Sequence, residues 1–363
     1  MINNINKKSN DKPKIKAVDF FCGGGGMSCG MQQAGIKVLA GIDNEKKCKQ
    51  TYEANITGAK FIEADVFNLK AKDLESTLDI QRNDDELLLI GCSPCQFWSI
   101  INTDKTKAKK SKNLLKEFER FVRYFNPGYV VVENVPGVLR KKRESGLASF
   151  ISWLIKNKYK VHFDVHNTAD YGVPQNRKRF TLIANRVTKE ELEPIKAIKK
   201  YTVRDTIGIV NGFKRIKAGY SDKTDFMHSV PNITNLTLRR LKKVKKDGGD
   251  RSGFKDDPEL QLNCFIGKDN SFKDTFGRLW WDKAAPTITT KFFSVSNGRF
   301  VHPQENRALS IREGATLQTF PKDYRFSGTS MGDIARLIGN AVPPEYAKRV
   351  GQAIIENYNA IQD

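Results

Sequence analysis

Seven short apolar runs mark the first half of this chain, at 17–21, 38–42, 61–64, 87–90, 129–132, 161–165 and 180–184. Between them lie longer stretches in which charged and apolar residues mix in helix-compatible fashion. Runs of this length, closed by turn residues, read as buried strands. Their alternation with helical stretches predicts an α/β fold built on a doubly wound sheet. The runs at 87–90 and 129–132, joined by a polar helix-compatible segment, read as parallel neighbours. Gly23–Gly26 turns the chain from the first run into a helix expected over 27–34. Beyond residue 187 the pattern is lost. Residues 189–200 are charged, and the next hundred carry Gly and Asp-Gly turns without a period, so 187–300 reads as a second, smaller domain. Order returns where Ser310 and Glu313 form a capping box that opens a helix expected to close at Pro321. A last amphipathic helix begins near Pro344.

At 363 residues and 39% hydrophobic content, the chain can bury a large core and divide into two domains. No apolar run approaches the ~18 residues of a membrane span, and the first residues lack the apolar core of a secretory signal. Six cysteines without regular spacing do not suggest a disulfide framework, so a reducing cytoplasm is the expected setting. The charge changes the picture more. Sixty-two Lys and Arg against 41 Asp and Glu leave a net +21, which favours a polyanionic partner, nucleic acid first. The plainer reading is a solubilising surface. Clustering favours the former: Lys105, Lys107, Lys109, Lys110 and Lys112 crowd one loop, and Arg239, Arg240, Lys242, Lys243, Lys245 and Lys246 crowd the second domain.

The candidate chemistry sits at strand ends. Gly91-Cys92-Ser93-Pro94-Cys95-Gln96 follows one run and Glu133-Asn134-Val135 the next. Ligands of open parallel sheets lie beyond the carboxyl ends of the strands, so Cys95 and Glu133 should face one crevice. A thiol beside an acid suggests nucleophilic catalysis with assisted proton transfer. Cys92 and Cys95 have C-x-x-C spacing, but no second pair or histidine cluster completes a zinc site, and no metal is expected. A redox pair is the weaker alternative. Gly23 and Gly25 begin a nucleotide-type glycine loop, yet Ser28 stands where the third glycine of a dinucleotide motif belongs, and no Walker lysine follows. Asp43, twenty residues beyond Gly23, ends the second strand, where a carboxylate accepts bonds from ribose hydroxyls.

Together these residues resemble the DNA cytosine-5 methyltransferases of bacterial restriction-modification type. Pro94-Cys95-Gln96 and Glu133-Asn134-Val135 are similar to the family's active-site pair, and the segment from Asp19 to Gly26 to its first block. Gln175-Asn176-Arg177-Lys178-Arg179, the stretch 307–321 and Gly339-Asn340-Ala341-Val342-Pro343 follow in family order. The resemblance implies a Rossmann-like methyltransferase fold using S-adenosyl-L-methionine (SAM). Phe21, Gly23, Gly25, Asp43, Asp65 and Asn340 would bind the cofactor, with Asp65 at the adenine amino group. Cys95 would add to C6 of the cytosine, Glu133 would act at N3, and Arg179, supported by Arg177, at O2. The base would be flipped from double-stranded DNA, with the lysines after Cys95 on phosphates. Residues 1–186 and 301–363 would form one discontinuous catalytic domain, and 187–300 the target-recognition domain. A monomer is implied, acting on nucleoid DNA, with a restriction endonuclease encoded nearby as its counterpart. One departure is Asn44, where relatives often carry an aromatic residue. A tRNA-methylating enzyme of the same family and an inactive DNA-binding regulator are the alternatives.

Overall fold

A computed structural model describes residues 14–93, 113–267 and 271–361. Pro94, Cys95, Gln96 and the lysine-rich stretch through Lys112 lie outside them. All seven expected strands form: β1 (Lys16–Phe20), β2 (Lys37–Asp43), β3 (Lys60–Glu63), β4 (Leu87–Gly91), β5 (Tyr129–Asn134), β6 (Lys160–Asn167) and, after the two-residue β7 (Gln175–Asn176), β8 (Lys178–Asn185). They make one sheet in the order β3-β2-β1-β4-β5-β8-β6. The chain winds outward from β1 to β3, returns to the centre, and winds the other way through β4 and β5. The sheet's topological switch point therefore lies between β1 and β4, which pair in parallel from Lys16↔Leu87 to Phe20↔Gly91.

The five strands β1–β5 are parallel, but β8 inserts antiparallel between β5 and β6. The connection over 168–177 explains this. It is shorter than a parallel crossover needs, so the chain reverses instead.

Alternate residues of each strand enter opposite cores. On one face Val18, Phe20, Leu89, Val130, Val132 and Leu182 pack against α3 (Ala71–Leu78), α4 (Leu114–Phe125) and α6 (Leu147–Lys156). On the other, Ala17, Leu88, Ile90, Val131 and Ile183 meet α1 (Gly26–Gln33) and the terminal helix α10 (Pro344–Asn359). Each such side chain contributes about 1.5–3 kcal/mol on burial. The short helices α2 (Lys49–Asn55) and α5 (Gly137–Arg140) close the remaining crossovers.

Residues 187–300 carry little regular structure: α7 (Asn235–Lys243), the two-residue β9 (Ala285–Pro286) paired with β7, and isolated turns. Part of this region has its own apolar cluster, including Ile216, Val230, Leu241, Phe254, Leu260 and Phe276. Val203, Ile207, Phe213, Leu279, Ile288 and Phe292 instead join the α1–α10 side of the main core. After it come α8 (Ile311–Leu317) and α9 (Met331–Asn340). The capping box forms as expected: Glu313 N donates to Ser310 Oγ at 3.1 Å, and Ser310 N to Glu313 Oε2 at 2.8 Å. Helix α8 ends before Pro321, however. Gln318 N folds back onto the Gly314 and Ala315 carbonyls, and Thr319 takes a left-handed φ of 66°.

Candidate active site at the strand ends

Two loops leave the switch point, one after β1 and one after β4. Phe21 opens the first at φ 63°, held there by its N–H on the Ile42 carbonyl at 2.8 Å. The glycines that follow serve two purposes. A Cβ on Gly26 would stand 2.4 Å from the Val342 carbonyl oxygen, one on Gly25 2.8 Å from the Tyr324 hydroxyl, and one on Gly24 3.3 Å from Leu337 Cβ. These three admit the chain's own C-terminal segment, and Tyr324 donates to the Gly24 carbonyl at 2.5 Å. Gly23 differs. At φ 50° its missing Cβ would meet nothing within 4 Å, so it faces open space at the strand ends.

Three carboxylates stand on or just after β1, β2 and β3. Gly23 N and Glu45 N donate to the two oxygens of Asp43, each at 2.9 Å. Burial still raises the Asp43 carboxyl above its ordinary range, against the pull of those amides. Its lone pairs leave room for further donors. Asp65 is exposed in the turn after β3, and its carboxylate accepts only a 3.1 Å bond from Phe67 N among the described residues. Asp19 is fully buried on β1. Ser28 Oγ donates to its Oδ2 at 2.6 Å, while Oδ1 has no hydrogen-bond partner among the described residues. Desolvation lifts its carboxyl to about 7. Ser28, the residue that breaks the dinucleotide pattern, thus holds a buried acid; the quoted motif contained Asp19, but spacing alone assigned it no role.

Glu133 and Arg179 come together because β5 and β8 run antiparallel. Glu133 pairs with Thr181 in the ladder, and Arg179 stands two residues away on the same face. Arg179 Nε lies 2.9 Å from Glu133 Oε1. The glutamate is buried, and desolvation raises its pKa despite the opposing charges of Arg179 and Arg177. Such a carboxyl can share a proton with a weakly basic ring nitrogen. The next residue, Asn134, reaches back to β4: its Nδ2 donates to Ser93 Oγ at 3.1 Å and to the Ser93 carbonyl at 3.3 Å. It holds Ser93, two residues ahead of Cys95. Sequence reading quoted Asn134 in the motif without giving it this task.

Arg177 is arranged otherwise. Its guanidinium is buried and donates to the Ile288, Gly339 and Ala341 carbonyls at 3.0, 3.0 and 3.1 Å. These bonds run to the segment after β9 and to the end of α9. Asn340, between two of those carbonyls, is exposed at the end of α9.

Cys22, Cys29 and Cys48 are buried, and burial pushes the thiols of the last two to about 12, far from a reactive thiolate. Cys264 is exposed. His166, His228 and His302 are buried. His228 joins Ser310 Oγ at 2.8 Å and the Lys214 carbonyl at 2.9 Å. Among the described residues no three His, Cys, Asp or Glu side chains gather as metal ligands.

Comparison with known proteins gives one answer. A family model described as C-5 cytosine-specific DNA methylase matches residues 15–356. The chain is 35% identical over 346 residues to the type II methylase M.HgiDII of Herpetosiphon aurantiacus, covering 93% of this chain and 94% of that one. It is 31% identical to the type II methyltransferase M1.HphI of Haemophilus parahaemolyticus, covering 93% and 86%. Among solved structures, a DNA modification methyltransferase encoded within an E. coli prophage superposes with a TM-score of 0.71 at 21% identity, covering 96% of this chain and all of that one.

Proposed function

The chain belongs to the C-5 cytosine-specific DNA methylase family, and from that membership we propose that it methylates C5 of a cytosine flipped out of double-stranded DNA, at one short sequence. The observation that carries this reading is the contact of buried Glu133 with Arg179 at the carboxyl end of β5, where the next residue, Asn134, holds Ser93 at the end of β4.

The cofactor proposed is SAM, and the strand ends fit it. Open space at Gly23, the half-exposed Asp43 beside it, and the exposed Asp65 suit a ribose and a purine edge, with Phe21, Gly25 and Asn340 completing the cradle. Bound there, SAM supplies an electrophilic methyl group. The chain's own residues make the cytosine able to accept it. Cys95, as thiolate, adds to C6 and forms a C–S bond, which turns C5 into an enamine-like carbon. Glu133, its pKa raised by burial, shares its proton with N3 so that negative charge does not build on the ring. Arg179 meets O2 and holds the Glu133 carboxyl in place. After methylation a base takes the C5 proton, the C5–C6 double bond re-forms, and Cys95 departs with its electron pair.

In this reading 1–186 and 301–363 make the catalytic domain and 187–300 selects the target. The apolar cluster centred on the latter, which also takes in Val301 and Ala308, and its exposed Lys242, Lys243 and Lys245 support the assignment. The lysines from Lys105 to Lys112 would hold phosphates. The enzyme is proposed to act as a monomer on nucleoid DNA in the cytoplasm, opposite a cognate restriction endonuclease. No helix among the described residues is long and apolar enough to cross a membrane.

The test is transfer of labelled methyl from SAM to unmethylated duplex DNA, with Cys95→Ser alongside. Label at cytosine C5 in one sequence context, abolished in the variant, is expected. Label on tRNA alone, or none on either substrate with SAM still bound, would overturn the proposal.

A further inference from the structure

We infer that Arg177 is a positioning residue for the cofactor cradle, so that two arginines only two residues apart serve opposite halves of the site. Arg179 serves the base, and Arg177 serves the cofactor. The inference rests on the reading of Asn340 and the glycine loop as SAM-binding.

The chain changes sheets between the two arginines. Gln175 and Asn176 pair with Ala285 and Pro286 in a small sheet of their own, and Lys178 begins the pairing of β8 in the main one. Arg177 stands at the junction, its N–H on Asn167 Oδ1 at 3.0 Å. From there its side chain reaches the end of α9. The last carbonyls of a helix lack intrahelical donors, and a cation there also meets the negative end of the helix dipole. Gly339 O and Ala341 O, both taken by Arg177 Nη2, flank Asn340.

One residue further, the Val342 carbonyl presses on Gly26 so closely that only glycine fits, and Leu337 lies against Gly24. The guanidinium thus fixes the backbone on both sides of Asn340 and, through Val342, the floor of the glycine loop. It also ties this end to the segment after β9, through Nη1 on the Ile288 carbonyl. There Gly339 packs directly on the Thr289 backbone, where a Cβ would stand 2.5 Å away.

A pair of buried glutamines braces the same junction independently. Gln175 accepts from Ile288 N at 2.7 Å and donates to Gln318 Oε1 at 2.7 Å, and Gln318 donates to the Ile338 carbonyl at 2.7 Å. With that brace intact, Arg177→Lys keeps the charge but cannot span three carbonyls in the planar geometry of a guanidinium.

The measurement is calorimetric binding of S-adenosylhomocysteine, the demethylated product, to the full chain without DNA, together with the steady-state constants for SAM. Arg177→Lys is expected to weaken binding about tenfold or more and to raise KM for SAM more than it lowers kcat. Arg179→Lys should bind the product as wild type does and lose kcat. Equal product affinity in wild type and Arg177→Lys would overturn the inference, as would matching kcat losses in the two variants with KM unchanged. Failure of the wild type itself to bind would instead remove the cofactor reading beneath it. If Arg177→Lys does not fold, amide exchange on the wild type decides. Slowing at 338–342 and 175–178 on adding the product is expected; slowing confined to 22–45 would overturn the inference.

Discussion

Two buried glutamate–arginine pairs, one at the sheet's end and one in the loop-rich part of the molecule, do opposite work. Glu133–Arg179 joins two strands through one close contact among the described residues, and burial leaves the carboxyl with a raised pKa. Glu313–Arg307 is saturated. Arg307 donates twice to the carboxylate at 2.7 and 2.8 Å, Ser310 N donates to it as well, and those partners hold its pKa far below the ordinary range despite complete burial. The surroundings explain the contrast. The sheet satisfies its backbone by ladder and its cores by aliphatic packing, so its end can hold a charge in an unsatisfied state. The loop-rich region has little ladder pairing beyond the two residues of β9, and arginines supply donors instead. Arg278 alone donates to the Val244, His302, Glu305 and Leu241 carbonyls. Arg312 holds four more, those of Phe226, Pro321, Asp225 and Tyr324. Buried carbonyls need donors wherever they occur.

Exchanging the two glutamates separates these roles most sharply. Glu133→Gln is expected to lower methyl transfer by about 10²–10⁴-fold while moving the melting temperature little, because burial already disfavours the charge. Glu313→Gln should do the reverse. Glutamine can still close the capping box, but Arg307 is left buried without its counter-charge, at a cost of about 3–5 kcal/mol. Activity assays and thermal unfolding on both variants decide. Similar melting losses for the two would erase the distinction.

The regions should also answer pH with opposite sign. Asp19 ionises near 7 in the folded chain against 3.8 as its ordinary value. Between those limits the folded state holds a proton that the unfolded chain has lost, so stability from this group is complete below about 4 and falls as pH rises through 7. The span corresponds to at most roughly 4 kcal/mol. His302, buried among Arg278, Arg307 and the carboxylates of Glu305 and Glu313, is pushed by desolvation to about 4 from 6.5. There the unfolded chain holds the extra proton, so stability falls as pH drops from 6.5 to 4, by roughly 3 kcal/mol at most. Melting temperatures of Asp19→Asn and His302→Asn, each against wild type from pH 4 to 8, isolate the two slopes. Slopes unchanged in the variants would refute the assignment.

What could be read in advance follows the same boundary. The strands of the sheet announce themselves through local apolar runs such as Tyr129–Val132, and the capping box through two residues three apart. The antiparallel entry of β8 was not legible in the pattern of runs, because pairing partners are chosen over distance. The region 187–300 was unreadable for a related reason. Its order depends on bonds like those from Arg278 to residues 34 and 24 positions away, which leave no periodicity. Glu133 was legible from its place at a strand end, Arg179 only through the resemblance. Arg177 was indistinguishable from Arg179 in the motif, since nothing local marks which guanidinium turns toward the end of α9. Of the two glycines read as cofactor-binding, Gly23 faces open space while a Cβ on Gly25 would meet Tyr324 and Ile56.

The smallest expected effect tests whether the basic residues of the loop-rich region are one group or two. Read from the sequence, Arg239 through Lys246 form a single patch, but the fold divides it. Arg240 is buried, with Nε on the Leu260 carbonyl at 2.7 Å; Arg239 pairs with Glu259; Lys246 donates to Asn306 at 2.8 Å. Lys242 and Lys245 are exposed. Replacing both with Ala should leave stability within about 0.5 kcal/mol per site, since neither supplies a carbonyl with a donor. If they touch DNA phosphates, each replacement lowers the salt dependence of binding, log Kd against log salt, by about 0.9. Arg240→Ala should show the inverse, with unfolding eased and the salt slope kept in whatever remains folded. A double lysine variant that melts early, or an Arg240 variant that changes only the slope, would mean that burial does not sort these cations by function.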